Sequence, residues 1–545
     1  MNLLGTPNAS EKFRFEDLEL SFPDAYRGQY FLTPLKKEAE RLFRAISTER
    51  MVAANAPNLI EPFFSSLIEE LDQLILPIVI HEISIAREMN LLKGNSPGAR
   101  YESFFVDEKS LMFTNSARSL ICRYPILFKM LDGAIQNAVQ CAIQCVSHLI
   151  QDFRLLQDNG FVHEIDSLQS LDLVGKSDPH MQNRTFLLTF ASGKKIIHKS
   201  VDLFADQLFG QFILKLSLPP PYNLRTMRVI PKSHDYGWME YISYQSCETH
   251  QQIRDFYKRA GALTAVADCL NYSDGHFENV IALGQYPILL DGETLFQNYA
   301  APERKKHQKK NLLGTSLIQK PPPREMLIGY SAAFQTLPTT LLEVVFPFAL
   351  NDHTDQIELH YRGTRNETAL NCPSMGNQYY TIHTFIQEFI EGFSFAFDQI
   401  KIKKQELLSD VNWWDNVAQV KSRTVLRDTL AYYYLLRRIQ RPEACISEIT
   451  MRNILESKLG ETPYTSYEIN ELMQINIPYF YHYPGQRDLH QGNVKKHRYF
   501  LKTGIECLKE QLEEWDENYK QFSIKILEKH LPSTPLTGEL AYYKL

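Results

Sequence analysis

Asp274-Gly-His276-Phe-Glu-Asn279-Val-Ile-Ala-Leu-Gly-Gln-Tyr-Pro287-Ile-Leu-Leu-Asp291-Gly-Glu293 is the stretch from which the rest of the chain is read. Asp274 and Asn279 stand five residues apart, and Asp291 follows twelve residues after Asn279. Between them, residues 280–283 and 287–290 are apolar runs around Gly284-Gln285-Tyr286, which predicts a β-hairpin. Phosphoryl transfer needs one carboxylate to orient the attacking hydroxyl and take its proton. It also needs an amide oxygen and a second carboxylate to hold Mg²⁺ on the phosphates. An Asp, an Asn five residues on, and an Asp beyond a short hairpin are how kinases space these groups. The histidine two after the first Asp is closer to lipid kinases than to protein kinases. A solvated loop with Asn and Asp as turn formers has the same composition, so spacing alone leaves both readings open.

Upstream, residues 184–190 and 195–199 flank Ala191-Ser192-Gly193 and predict a second hairpin. Lys199 ends it, and a helical pattern over 202–216 follows. A lysine there suits a nucleotide phosphate; it also suits a solvent-facing strand edge. Tyr236-Gly237-Trp238-Met239-Glu240-Tyr241-Ile242 reads as a hinge whose backbone would meet adenine, or as a buried strand. Further strands are predicted at 224–230 and 238–243, and an amphipathic helix at 250–270. Residues 59–90 have helical spacing interrupted at Pro77, residues 118–156 form another helical region, and 378–440 and 464–530 read as mostly helical. Arg304, Lys305, Lys306, Lys309 and Lys310, ahead of Pro321-Pro322-Pro323, form a basic loop. Its charge suits an acidic or phosphorylated ligand; a solvated surface loop fits at least as well.

The length of 545 residues allows three to four domain-sized units at ~150 residues each. Lys plus Arg is 58 and Asp plus Glu is 64, a net charge of −6 that gives no global attraction to nucleic acid or anionic membrane. The most apolar stretch, 71–83, contains Asp72, His81 and Glu82 and is too short for a membrane span. Residues 1–10 lack the basic and apolar runs of a signal peptide. The eight cysteines form no CxxC and no adjacent Cys-His pair, which speaks against a zinc site and favours a reduced, cytoplasmic protein.

With these residues on the page, the chain resembles the dehydratase domain of class II lanthipeptide (lantibiotic) synthetases, the LanM type. The resemblance is carried by Tyr236–Ile242, Tyr257, Arg259 and Gly261 and by the whole run from Asp274 to Glu293. Gly94-Asn-Ser-Pro97-Gly-Ala-Arg100-Tyr-Glu-Ser-Phe104, Asp178-Pro-His180 before Arg184, Arg423-Thr-Val-Leu-Arg427-Asp-Thr429-Leu-Ala-Tyr432 and Ile477-Pro478-Tyr-Phe480 add to it, in the family's order over about residues 50–530. The resemblance implies an α+β, bilobal lipid-kinase-like fold with extra helical, kinase-activation-like elements. The expected divisions are a helical region at 1–165, a small lobe with the phosphate lysine at 166–245, and a large, mostly helical lobe at 246–545.

The resemblance further implies use of ATP and Mg²⁺ to phosphorylate Ser and Thr of a precursor peptide bearing a leader. Phosphate is then eliminated to give dehydroalanine and dehydrobutyrine. By motif, Lys199 would contact phosphate and Glu240 would lie at the nucleotide. Asp274 would be the base and His276 would support its loop. Asn279, Asp291 and Glu293 would hold metal and phosphate. Arg423 and Thr429 would serve elimination, and Asp178 with His180 would form a further polar pair. The family's Arg423–Tyr432 motif reads as a helix, on which Arg423 and Thr429 would be about 240° apart at 100° per residue; they would need a bend or would flank the phosphate from two sides.

This chain departs from the family in three places. His198-Lys199-Ser200-Val201 replaces the usual Tyr-Lys-Pro-Arg, and Gly292 stands between Asp291 and Glu293. No Cys-His pair late in the sequence marks the family's zinc cyclase; a stand-alone dehydratase served by a separate LanC-like cyclase, a truncated chain and a relative repurposed for another substrate are the expectations left open. A kinase that stops at the phosphate and an inactive scaffold of the same fold are the competing expectations.

Overall fold

Helices build the first part of the chain: α1 (Ala25–Ile46), α2 (Ala56–Glu88), α3 (Pro97–Val106), α4 (Leu120–Arg123) and α5 (Pro125–Asp158). This is a computed structural model, and it describes residues 15, 18, 20–46, 56–106, 120–163, 166–174, 184–300, 312–319, 332–336, 341–365, 369–532 and 542–543. Pro77 lies inside α2 rather than ending it. An interior proline costs a helix ~3 kcal/mol. Leu74, Ile75, Leu76, Ile78 and Val79 around it are all buried, at roughly 1.5–3 kcal/mol each, so packing outweighs propensity. Arg27 of α1 ties these helices together. Its guanidinium bonds Asp72 Oδ1 of α2 at 2.7 Å, the Tyr101 hydroxyl of α3 at 3.1 Å and Asp352 Oδ1 at 2.9 Å. Arg100, in the Gly94–Phe104 segment, pairs with Asp355 at 2.7 Å.

A five-stranded antiparallel sheet follows: β1 (Leu168–Val174), β2 (Thr185–Phe190), β3 (Lys195–Lys199), then α6 (Phe204–Leu216), β4 (Val229–Ser233) and β5 (Tyr236–Glu240). Its order is β1-β2-β3-β5-β4. The 184–199 hairpin is present as β2 and β3. The two later strands lie a few residues from their predicted places, because their turn falls at His234-Asp235. Strand periodicity of two decides which side chains meet. Phe186, Leu188, Phe190, Ile196, His198 and Trp238 fall on one face and are buried. Helix α5 covers that face, and its Asp152 accepts from Trp238 Nε1 at 2.9 Å. Ile197, Lys199 and Met239 fall on the other face and line a cavity.

The remaining elements are α7 (His250–Cys269), the hairpin β6 (Val280–Leu283) and β7 (Tyr286–Leu289), β8 (Leu341–Leu350), β9 (Glu358–Arg365), β10 (Ser374–Met375), β11 (Gln378–Tyr379), α8 (Ile386–Ser409) and α9 (Val411–Val417). Then come β12 (Ser422–Arg423), α10 (Thr429–Ile439), α11 (Glu448–Leu459), α12 (Thr465–Leu472), β13 (Phe480–His482), β14 (Leu489–Gln491), β15 (Val494–Lys496), α13 (Gly504–Glu513), α14 (Glu517–His530) and β16 (Tyr542–Tyr543). Strands β12 to β15 form a four-stranded sheet inside regions whose sequence reads as helical. Each is two or three residues long, too short to show a period of two. Helices α7 and α8 cross closely: a Cβ on Gly261 would sit 1.9 Å from the Phe389 carbonyl oxygen.

Two large hydrophobic cores form among the described residues, beside a small cluster of Phe480, Leu489, Tyr499 and Phe500. One joins the N-terminal helices, the five-stranded sheet and α10 to α12; the other joins α6 to α9, the β6–β7 hairpin, α13 and α14. The cavity is lined from both. No helix among the described residues is long and apolar enough to cross a membrane.

Candidate functional site

The cavity between the two cores has a volume of about 940 Å³, in the range of small-ligand sites. Lys199, Glu240, Asp274, His276, Asn279, Asp291, Glu293 and Arg423 all line it. They come from separate elements: the end of β3, the end of β5, the loop after α7, the turn after β7, and β12. Asp178, His180 and the basic residues from Arg304 to Lys310 lie outside the described residues.

The β6–β7 hairpin sets the distance between the two aspartates. Leu283 pairs with Tyr286, leaving a two-residue turn at Gly284-Gln285, and Gly284 takes a φ of +55° that suits glycine. The hairpin brings Asp291 back beside Asn279, and Leu290 N–H donates to the Asn279 carbonyl at 2.9 Å. Asp291 Oδ2 then accepts from Lys199 Nζ at 2.7 Å, joining the sheet to the hairpin. Burial pulls the Lys199 ammonium down, but Asp291 and Asp206 outweigh it and raise its pKa, so the lysine stays charged.

Asp206, seven residues after Lys199 on α6, is a site residue that the sequence reading passed over. Its Oδ1 accepts the Gly292 N–H at 2.8 Å. Burial, then the charge of Asp291, push its carboxyl up to about 7. The same contact explains Gly292. A Cβ there would lie 2.7 Å from Asp206 Oδ1, closer than a side chain allows. An acidic residue in the first turn of the helix after the strand-ending lysine was the available signal.

Asp274 sits in a tight loop. Its carbonyl accepts from Tyr272 Oη at 2.8 Å and Asn279 Nδ2 at 2.9 Å. Burial pushes the Asp274 carboxyl up, but His276, Arg423 and Asn279 together bring it down to about 2. His276 lies between Asp274 Oδ1 at 3.5 Å and Glu278 Oε2 at 3.4 Å. Burial lowers its pKa, and the two carboxylates raise it well above the usual histidine value. His276 is therefore an imidazolium held against the aspartate.

Arg423 and Thr429 do not share a helix. Arg423 is in β12, Asp428 caps α10, and Thr429 is the first residue of that helix. This corrects the single-helix reading of the 423–432 motif, and it removes the 240° difficulty. Arg423 Nη2 points at Thr429 Oγ1 over 3.4 Å, its Nη1 pairs with the Glu293 carboxylate, and its backbone N–H donates to Glu293 O at 2.7 Å. Glu293 is thus engaged by Arg423. Tyr479 lies with its ring 5.8 Å from the Arg423 guanidinium and also lines the cavity, although the sequence marks it only as a landmark. Arg427, in the same motif, turns away to Glu468 at 2.6 Å. The Glu240 carboxylate is held by Arg225 and Arg228 at 3.3 and 3.4 Å, and its N–H donates to the Arg228 carbonyl; Tyr241 and Ile242 follow it in the cavity lining.

The substituted segment before Lys199 is also accounted for. His198 Nε2 lies 3.0 Å from His148 Nδ1 of α5, and the His148 ring stacks on Tyr236 with centroids 3.6 Å apart. Burial pulls the His198 imidazole down to about 3, so it is neutral in this wall. Another titratable cluster, Asp24, Asp352 and His353, belongs to the Arg27 ion-pair network.

Lys199, Asp274, Asn279, Asp291 and Arg423 thus line one cavity, with Thr429 beside Arg423 at its edge. Residues 124–483 match the family model described as "Domain of unknown function (DUF4135)". The chain belongs to this family, the domain found in LanM-type lanthipeptide synthetases. It is 25% identical over 448 residues to the Lacticin 481/lactococcin biosynthesis protein LcnDR2 of Lactococcus lactis subsp. lactis, covering 77% of this chain and 47% of that protein. The chain thus spans about half the length of the curated relative that it matches.

Proposed function

We propose that this chain is an ATP- and Mg²⁺-dependent dehydratase of lipid-kinase-like fold, which phosphorylates Ser and Thr of a leader-bearing precursor peptide and then eliminates phosphate. The observation that supports it most is the convergence of Lys199, Asp274, Asn279, Asp291, Arg423 and Thr429 on one cavity and its edge. The donor chemistry fits the cofactor. Asn279 and Asp291 offer the hard oxygen ligands that Mg²⁺ takes, and Lys199 offers a cation for phosphate oxygens. When bound, ATP with Mg²⁺ supplies the phosphoryl group.

The chain's own residues have these tasks. Asp274, ionised at about 2, orients the acceptor hydroxyl and receives its proton as the new bond forms. His276 holds Asp274 by its charge 3.5 Å from the carboxylate and by its Nδ1 contact to the Asp274 carbonyl at 3.2 Å. Arg423 presents a permanent charge in a planar fork that matches phosphate, and Thr429 marks the second side of the same position. In the elimination step the Cα–H and the Cβ–O bonds of the phosphorylated residue break. A base takes the proton, the pair forms the Cα=Cβ bond, and phosphate leaves towards Arg423.

The test is one mass spectrum of a Ser- and Thr-containing precursor incubated with the protein, ATP and Mg²⁺. Loss of one water per modified residue is expected. A stable phosphate gain would replace this reading with that of a kinase, and no change would reject both.

A further inference from the structure

The cavity extends past the residues used above. Ser66, Glu69, Glu70, Gln73 and Leu74 of α2 line one wall, and Tyr433, Leu436 and Arg437 of α10 with Gln440, which caps it, line another. On each helix these positions recur at three and four residues, so each set is one continuous stripe. The α10 stripe starts one turn after Thr429, which lies 3.4 Å from Arg423. At 1.5 Å per residue it leads from Thr429 to Gln440 over about 16 Å. The α2 stripe spans about 12 Å by the same measure. Extended backbone rises about 3.3 Å per residue, so the trough matches four to five residues.

The chemistry of the walls names the occupant. Gln73 offers an amide donor and acceptor, the pair of functions that a peptide backbone also carries, while Gln440, whose Oε1 accepts from Arg437, adds its amide donor. Arg437 lies over the Tyr433 ring at 4.9 Å and donates to Gln440 Oε1 at 3.1 Å. Among the described residues it has no carboxylate partner. Glu70 is neutralised by Arg184 at 3.0 Å. Leu74, Leu436 and Ile475 give apolar flanks. Such a surface grips main chain and tolerates many side chains. We propose that the α2–α10 trough is the acceptor-peptide subsite, holding four to five extended residues on one side of the reacting Ser or Thr through their backbone. This rests on the dehydratase reading for the identity of the peptide, but not for the trough itself.

Two variants on different helices test it, Gln73→Ala and Arg437→Gln, assayed with a Ser-containing precursor and ATP. The expected result for each is a rise in peptide KM of about tenfold, with ATP KM and kcat at saturating peptide within about twofold. Unchanged peptide KM in both, or an equal rise in ATP KM, overturns the proposal. A benzophenone side chain at position 440 gives a readout free of turnover, using synthetic Ser/Thr-containing decapeptides as the probe. Crosslinks without dehydration would keep the trough and reject the dehydratase reading. Dehydration without crosslinks would do the reverse.

Discussion

Arg423 meets Glu293 twice, through its backbone N–H to the Glu293 carbonyl at 2.7 Å and through its guanidinium to the Glu293 carboxylate. The double contact locks β12 onto the turn that carries Asp291, so the cation stands at a fixed place beside the metal-type ligands. Replacing Arg423 with Ala should leave phosphorylation running and slow elimination by roughly 100-fold or more, the usual cost of removing one donor aimed at developing charge. Phosphopeptide should then accumulate in a time course followed by mass spectrometry. Complete dehydration at the wild-type rate would remove Arg423 from the elimination step. Thr429→Ala should show the same accumulation in weaker form.

Asp274→Asn keeps the loop's shape and its carbonyl bonds to Tyr272 and Asn279, while removing the charge. Phosphate transfer should fall by about 10²–10⁴. The wild-type carboxyl is held down at about 2, so Asp274 should contribute no acid limb to the rate profile above pH 4. A rate profile in which an acid limb near pH 5 vanishes in Asp274→Asn would contradict this assignment.

Much of this site was legible because its residues lie in short, dense motifs. Asp274, Asn279 and Asp291 are linked by a hairpin whose apolar runs show plainly, and the alternation of β2 and β3 already places Lys199 opposite the buried His198. What was not legible depends on contacts between distant segments. Asp206 gains meaning only when α6 folds against the turn at Gly292, and Tyr479 only when β13 pairs with β12. Arg423 reads as helical because the two-residue strand β12 leaves no periodicity. Pro77 shows the converse: local propensity argued for a break, and burial on several sides of α2 overrode it.

Arg427 offers a contrast within the Arg423 motif. Its guanidinium bonds Glu468, a fully buried carboxylate that also accepts from Tyr432 Oη at 2.5 Å, and the Leu459 carbonyl at 2.8 Å. Arg427→Ala would strand that carboxylate, which costs about 3–5 kcal/mol. Chemical denaturation should show this loss of stability. An Arg427→Ala protein of wild-type stability that accumulates phosphopeptide would instead make Arg427 part of the elimination machinery.

Gly292 and Asp206 should behave as a coupled pair. Gly292→Ala puts a Cβ 2.7 Å from the Asp206 carboxylate and should weaken ATP binding by displacing Asp291 from Lys199. Shortening the partner in the double variant Gly292→Ala/Asp206→Ala relieves the clash, so the combined loss should be smaller than the sum of the single losses. Isothermal titration of ATP with Mg²⁺ against the four proteins gives the coupling. Strict additivity would show that the contact does not position Asp291.

The same carboxylate predicts a pH dependence. Asp206 is pushed up to about 7 in the folded chain, chiefly by burial and then by Asp291, against about 3.9 for an unfolded aspartate. Between those values the folded state binds the extra proton. Its stabilising contribution is therefore complete below about pH 4, falls as pH rises, and is gone once pH passes about 7. Asp206→Asn keeps an oxygen for the Gly292 N–H but does not titrate. The Tm of Asp206→Asn minus that of the wild type should accordingly grow between pH 5 and pH 8. A difference that stays flat, or shrinks, over that window would show that Asp206 is ionised in the folded protein throughout.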